Sequence, residues 1–153
     1  YSTPDLVLVD ISGLGQDVKD FFNKPILDLS IENQKMLSSA KSKVEGKLKP
    51  SNVKFAVGIK TSIRSDRMYQ FLYEACAWKF IWNNIFNEPE QRYYTLTTQT
   101  FGADPVKLKS VNLAVYDKLD TATKAIDKIT TIATPKDASS WLISTLPKPK
   151  SAN

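Results

Sequence analysis

The chain has 153 residues, one cysteine, no histidine and a formal net charge of +5. One cysteine allows no internal disulfide, and the lack of histidine removes the commonest general base, the usual catalytic triads and most zinc sites. We therefore expect a single domain without a metal or a cofactor, in which any enzymatic chemistry would rely on carboxylates, lysines or tyrosines.

Charge is unevenly distributed along the chain. Residues 1–34 carry two lysines against six acidic residues, whereas residues 35–67 carry nine basic residues against two acidic ones. Such a basic segment is either an ordinary solvated face or a surface that holds a polyanion.

The first half of the chain predicts an arm, two helices and a strand. Residues 1–16 form the arm, with a short extended piece at Leu6–Val9. Helices are expected over residues 17–29 and 30–48, the second beginning after Ser30 as its N-cap, and as closely joined neighbours they should lie antiparallel. Alternating apolar residues then predict a strand over residues 53–57.

The most apolar stretch is a predicted third helix over residues 65–87. Its apolar residues recur at helical spacing on more than one face, so the helix should either fill the centre of a bundle or also contact a second subunit. Polar residues interrupt the apolar run too often for a membrane span. Cys76 lies among aromatic residues and is expected to be a small buried hydrophobe.

The remaining chain predicts a short strand, a long helix and a tail. The strand covers residues 92–96, and Asp104 followed by proline is a strong helix start. One apolar stripe continues from there at three- and four-residue steps, so a fourth helix is expected over residues 104–133, ended by Pro135. Residues 134–153 form the tail. The predicted fold is mainly α, an antiparallel four-helix bundle over residues 17–133 with a small β-sheet and extended termini.

Four passages give the chain a resemblance to a known family. They are the STPDLVLV arm, KLKPSNVKF at 47–55, Arg92 after the third helix, and YDKLDTATKAID at 116–127. With the length and the helix order, they resemble the coat proteins of rod-shaped plant viruses, the tobacco mosaic virus family. The resemblance implies a non-enzymatic protein that polymerises with itself into a helical rod around single-stranded genomic RNA. It would be found in the virion and in the host cytoplasm, with no membrane or small-molecule partner.

The resemblance also implies site residues. RNA contacts would come from Arg92, Lys118 and Asp120, and from Lys35 or Lys41 on the second helix. Either of these last two could instead be an ordinary solvated lysine. The acidic residues that repel one another between family subunits have Glu45 and Glu74 as candidates. For such assembly, the surplus aromatic surface would supply subunit contacts through Trp78, Trp82, Phe86 and Trp141, unless one bundle buries all of it.

Two other functions remain open from the sequence. One is a monomeric helical adaptor that binds an acidic partner through residues 35–67. The weaker one is an enzyme that works with carboxylates alone.

Overall fold

The computed structural model describes residues 4–63, 68–88, 91–100, 104–111 and 124–146. In chain order its elements are β1 (Leu6–Val9), α1 (Gln16–Phe22), α2 (Ile31–Val44), β2 (Val53–Ser62), α3 (Met68–Asn84), β3 (Arg92–Gln99), α4 (Pro105–Ser110), β4 (Lys128–Thr131) and α5 (Pro135–Thr145). None of the helices in these ranges has the length and apolar character needed to cross a bilayer.

The four strands form one mixed sheet in the order β1, β2, β3, β4. Strand β1 is antiparallel to β2, while β2, β3 and β4 run parallel to one another. Strand β2 is rich in β-branched and aromatic residues at its beginning, and Phe55, Ala56 and Val57 are all buried there. Burial of consecutive residues means that both faces of β2 are covered, as expected for a strand inside a partly parallel sheet.

One face of the sheet is covered by α3. Ala56 and Tyr93 from the sheet pack with Phe71 and Ala75 of α3, and the same cluster contains Ile63, Leu108, Ala125 and Ile126. The register aligns Ala56 with Tyr93. Since side chains alternate along a strand, Gly58 and Lys60 lie on the α3 face as well.

The opposite face is covered by α5. Trp141 of this helix contacts Phe55 and Tyr94 edge to face, with ring centroids 6.3 and 5.8 Å apart. Only 7% of Trp141 is exposed. The protein is therefore a layered α/β structure in which the sheet lies between α3 and α5.

The predicted four-helix bundle is wrong. The sheet that was expected to be a small appendage is the centre of the fold, and it separates α3 from α5. Strands β2 and β3 are also longer than predicted, because their parallel pairing continues to Ser62 and Gln99. The residues expected to form the tail instead supply α5.

The predicted helix over residues 104–133 is also wrong. Asp104 does cap a helix, since its carboxylate accepts hydrogen bonds from the amides of Val106 and Lys107, but α4 ends at Ser110. Residues 128–131 form β4, which pairs with β3. Pro135 begins α5 instead of ending a helix. Residues 112–123 lie outside the described part of the chain.

Helices α1 and α2 contribute no residue to the two apolar clusters that α3 and α5 form with the sheet. None of the α2 residues, all of which the structure describes, is buried. Ser30 caps α2 as predicted, its hydroxyl accepting a hydrogen bond from the amide of Asn33. Side chains connect the two helical regions on the surface: Lys47 forms an exposed ion pair of 3.2 Å with Asp17.

Helix α5 begins with a reciprocal cap. The Thr134 hydroxyl accepts a hydrogen bond from the Asp137 amide at 3.2 Å, and the Asp137 carboxylate accepts one from the Thr134 amide at 2.9 Å. We expect Thr134→Ala to lower the free energy of unfolding by about 1 kcal/mol in urea titrations, because the first turn loses this acceptor. Ser139→Ala is the matched control, since the Ser139 hydroxyl only bonds back to the Pro135 carbonyl within the helix. Equal losses in both variants would contradict a capping role.

Candidate active site

Asp5 is fixed against the edge of β2 just before β1 begins. Its amide donates to the Val57 carbonyl at 3.0 Å, and its Oδ2 accepts a hydrogen bond from the Ile59 amide at 2.6 Å. Leu6 pairs with Val57, and the two hydrogen bonds of Asp5 reach the residues on either side of Gly58. The residue remains exposed. The carboxylate is thus oriented by the backbone and still accessible to a ligand.

Glu74 brings a second carboxylate to this region from α3. Only 4% of the residue is exposed. Its Oε2 accepts a hydrogen bond from the Tyr93 hydroxyl at 3.0 Å, and its Oε1 accepts one from the Gln70 side-chain amide at 3.1 Å. A buried carboxylate needs such donors, because desolvation of a charge is expensive.

Tyr93 and Gly58 connect the two carboxylates. A β-carbon at Gly58, which lies between the two residues bonded to Asp5, would lie 2.8 Å from the Tyr93 hydroxyl oxygen. Burial raises the pKa of Tyr93 well above its ordinary value, and the negative charge of Glu74, its hydrogen bond and the charge of Asp5 raise it further. The Tyr93 hydroxyl therefore keeps its proton and donates it in the hydrogen bond to Glu74.

Lys60 adds a cation on the same face of β2. Its Nζ lies 5.9 Å from the centre of the Phe71 ring, and Phe71 precedes Glu74 by about one turn of α3. Lys60 is only half-buried. The site thus combines two carboxylates with an ammonium group, contributed by the start of β1, the second half of β2 and α3.

An ion pair between the buried Lys79 and the exposed Asp127 lies next to this arrangement. The Lys79 ammonium lies 2.8 Å from the Asp127 carboxylate and donates to the Lys124 carbonyl at 2.6 Å. Asp127 in turn accepts a hydrogen bond from the Tyr93 amide at 2.7 Å, and its own amide donates to the Tyr93 carbonyl at 2.9 Å. Helix α3 is consequently tied to β3 both through Glu74 and through Lys79.

The donor set suits a hard divalent cation. No group of three or more histidine, cysteine, aspartate or glutamate side chains with metal-binding geometry occurs among the described residues. Magnesium, however, is commonly held by one or two carboxylates, with water and substrate phosphates completing its shell. Asp5 and Glu74 fit that pattern.

Comparison with known proteins gives the family. Residues 1–148 match the model of the Cfr10I/Bse634I restriction endonuclease family. The chain belongs to this family. The type II restriction enzyme Cfr10I from Citrobacter freundii is 26% identical over an aligned length of 155 residues, and the alignment covers 92% of this chain and 52% of the relative.

Solved structures of the family share the fold. The Bse634I restriction endonuclease matches with a TM-score of 0.77 and 24% identity over 93% of this chain and 50% of that chain. The structure of Bse634I with cognate DNA matches with a TM-score of 0.75 and 24% identity over 92% of this chain and 50% of that chain. The present chain thus spans about half the length of these members of the Cfr10I/Bse634I family.

Family membership overturns the resemblance to viral coat proteins. The expected rod around genomic RNA, the virion location and the non-enzymatic role are wrong, because the chain matches restriction endonucleases over nearly its whole length. The solved relative is bound to DNA, so RNA is also the wrong expected partner. The alternative of a helical adaptor is wrong for the same reason, since neither the fold nor the family supports it.

The residues expected to contact RNA are distributed over separate elements. Arg92 is the exposed first residue of β3, and its guanidinium donates to the Tyr94 hydroxyl at 3.4 Å. Lys35 and Lys41 are exposed on α2. Lys118 and Asp120 lie outside the described residues. None of the three described cations belongs to the carboxylate site.

The residues expected at subunit contacts also lie in different parts of the structure. Trp78 and Trp82 of α3 and Phe86 just after it form a row of mutually tilted rings, with neighbouring ring centroids 5.1 and 4.9 Å apart. Trp141, a residue of α5, is buried in the core against the sheet. Glu45 is exposed at the end of α2, whereas Glu74 is the buried carboxylate of the candidate site.

Sequence reasoning missed two of the three central residues. Asp5 lies in the predicted arm, and Lys60 is one member of the basic segment over residues 35–67. A usable signal was present, however. An acidic residue directly precedes a correctly predicted strand, a lysine follows the apolar part of the next strand, and an acidic residue interrupts the apolar surface of the following helix. Charged residues in such apolar surroundings mark functional sites.

Proposed function

We propose that this chain carries the phosphodiester-cleaving centre of a type II restriction endonuclease that acts on duplex DNA. The observation that carries this proposal is the convergence of Asp5, Lys60 and Glu74 on one face of the sheet. Family membership supports it, because the relatives are named restriction enzymes and one was solved with cognate DNA.

Asp5 and Glu74 would hold a divalent cation, with magnesium as the best fit to two carboxylates. Such an ion, when bound, supplies Lewis acidity and lowers the pKa of a coordinated water. Asp5 is accessible and fixed by the Ile59 amide, so it can bind an ion that a DNA phosphate also contacts. Glu74 is buried and hydrogen-bonded, so its orientation is set before any ligand arrives.

Lys60 would offset the negative charge that develops on the scissile phosphate. An ammonium group beside a phosphoryl centre stabilises the transition state most when water is partly excluded. The Lys60 ammonium lies over the Phe71 ring of α3, one turn before Glu74. The positive charge of Lys60 on the same face of the sheet also reduces the repulsion between the carboxylates and the DNA.

The charge of the chain supports binding to a polyanion. The surplus of seven positive charges over residues 35–67 includes Lys60 itself and the arginines at 64 and 67, which lie outside the described residues. Phosphate contacts from such a segment give affinity that falls steeply with salt. The expected DNA complex should therefore weaken as the salt concentration rises.

The direct test is cleavage of supercoiled plasmid by the purified protein. We expect strand breaks in the presence of Mg²⁺ and none in EDTA, because the two carboxylates need the ion to act on a phosphate. Agarose gels distinguish supercoiled, nicked and linear forms. An Asp5→Asn preparation, purified identically, detects contaminating nucleases. Absence of Mg²⁺-dependent breaks, or equal breaks from the Asp5→Asn preparation, would contradict the proposal.

A further inference from the structure

Tyr93 is buried completely, yet its hydroxyl points to a charged group that belongs to the site. Its exposed fraction is 0%, and its hydroxyl donates to the Oε2 of Glu74 at 3.0 Å. The residue lies on β3, whereas Glu74 lies on α3. The bond therefore fixes the carboxylate of the helix relative to the sheet.

The sheet provides a space for this hydroxyl. Gly58 of β2 has no side chain, and any β-carbon there would approach the Tyr93 oxygen to 2.8 Å. A contact this short would displace the phenol ring or the strand, because the tyrosine is enclosed on its other sides. The position between the two residues bonded to Asp5 thus leaves room for the group that orients Glu74.

The backbone of Tyr93 is held just as firmly. Asp127 bonds both its amide and its carbonyl, and Lys79 of α3 neutralises Asp127. The tyrosine therefore has little freedom to follow Glu74 if the carboxylate moves. A rigid donor of this kind sets the orientation of the carboxylate.

We propose that Tyr93 is a positioning residue that holds the Glu74 carboxylate in the orientation needed to bind the divalent cation together with Asp5. This inference rests on the proposed function of the Asp5 and Glu74 site. Tyr93 acts through Glu74 and does not itself contact the ion or the DNA. The absence of a side chain at Gly58 leaves the Tyr93 hydroxyl room to reach Glu74.

The experiment measures binding of Mn²⁺ as a spectroscopic substitute for Mg²⁺. Free Mn²⁺ is quantified by electron paramagnetic resonance during titration of the wild-type protein and its variants. Tyr93→Phe should weaken binding by roughly 10- to 100-fold, the usual effect of removing a hydrogen-bond partner of a metal ligand. Gly58→Ala keeps the hydroxyl but displaces it, so it should weaken binding as well.

Tyr94→Phe is the matched control. It removes the hydroxyl of the neighbouring tyrosine, which packs against Phe55 and Trp141 on the opposite face of the sheet. This variant should bind Mn²⁺ like the wild type. Circular dichroism and urea titration separate loss of affinity from loss of folding, since a purely structural role would lower stability and leave the affinity of the folded protein unchanged.

Three outcomes are distinguishable. Wild-type binding that is lost in Asp5→Asn and weakened in both Tyr93→Phe and Gly58→Ala supports the inference. Wild-type binding that is lost in Asp5→Asn but unchanged in folded Tyr93→Phe overturns the inference and leaves the proposed function in place. Mn²⁺ binding that Asp5→Asn and Glu74→Gln leave unchanged overturns the proposed site, and the role of Tyr93 with it.

Discussion

Replacement of Asp5 by asparagine should abolish Mg²⁺-dependent DNA cleavage while the protein remains folded. Asparagine has nearly the same shape and can still accept the hydrogen bond from the Ile59 amide. It lacks the negative charge that a hard cation requires. Loss of the bound ion removes about 4 kcal/mol of transition-state stabilisation, or ~10³-fold in rate. Single-turnover cleavage of a labelled duplex measures this loss.

Binding of the same duplex separates catalysis from recognition. In gel-shift titrations without a divalent ion, Asp5→Asn should bind DNA at least as well as the wild type, because one negative charge facing the phosphates is gone. Asp10→Asn is the control at the other end of β1, where the carboxylate accepts a bond from the Ser12 amide and lies 3.6 Å from Lys54. Cleavage by Asp5→Asn as fast as by Asp10→Asn would exclude Asp5 from the active centre.

Replacement of Lys79 by methionine should destabilise the fold. The lysine is 5% exposed, and its ammonium contacts the Asp127 carboxylate at 2.8 Å. Methionine fills much of the same space but leaves Asp127 without its cation. Removing one partner of a fully buried ion pair costs about 3–5 kcal/mol, and we expect a smaller loss here because Asp127 is exposed and water can solvate its charge. Urea titration should show a lower midpoint with an unchanged slope.

Lys47 provides the matched comparison. It also pairs with an aspartate, Asp17, but both side chains are largely exposed, and water screens the interaction. Lys47→Met should therefore leave the unfolding midpoint nearly unchanged. Adding Asp127→Asn to Lys79→Met should recover part of the lost stability, since an amide oxygen can still accept from Tyr93 without an unpaired charge. Equal midpoints for Lys79→Met and Lys47→Met would show that the pair of Lys79 and Asp127 contributes little.

Local sequence signals identified much of the secondary structure. The strand at Leu6–Val9 has the predicted bounds, and Ser30 and Asp104 cap helices as expected. These features depend on neighbouring residues, through alternation of side chains or through a side-chain oxygen that accepts from the next turn. Helix α3 also lies within its predicted range.

The error at residues 104–133 came from a pattern that two structures can satisfy. Leucine, valine and isoleucine at three- and four-residue steps predict a helix, but Ala125 and Ile126 are buried against α3 and the sheet, and pairing with β3 begins at Lys128. β-branched Ile129, Thr130 and Thr131 favour a strand once an open edge is available. That edge belongs to β3, about thirty residues earlier in the chain, so local periodicity could not reveal it.

The arrangement of the sheet explains why the local sequence does not reveal the proposed active centre. Asp5, Lys60 and Glu74 are distant in sequence, and each has an ordinary local explanation as an arm residue, a basic residue or an interface acid. They meet because β1 pairs antiparallel with β2 and because α3 returns across the same face. A one-residue slip in the register of β1 would turn Asp5 to the other face.

The sequence alone determined the short-range features of this protein: its caps, the start of its sheet, its apolar third helix and the surplus of positive charge near residues 35–67. These follow from interactions within a few residues or from composition. Tertiary structure decided that the strands form the centre, that Trp141 belongs to the core, and that two carboxylates and a lysine converge around Tyr93. Long-range pairing and burial set those features, because the free energy that fixes them arises only when distant segments pack together.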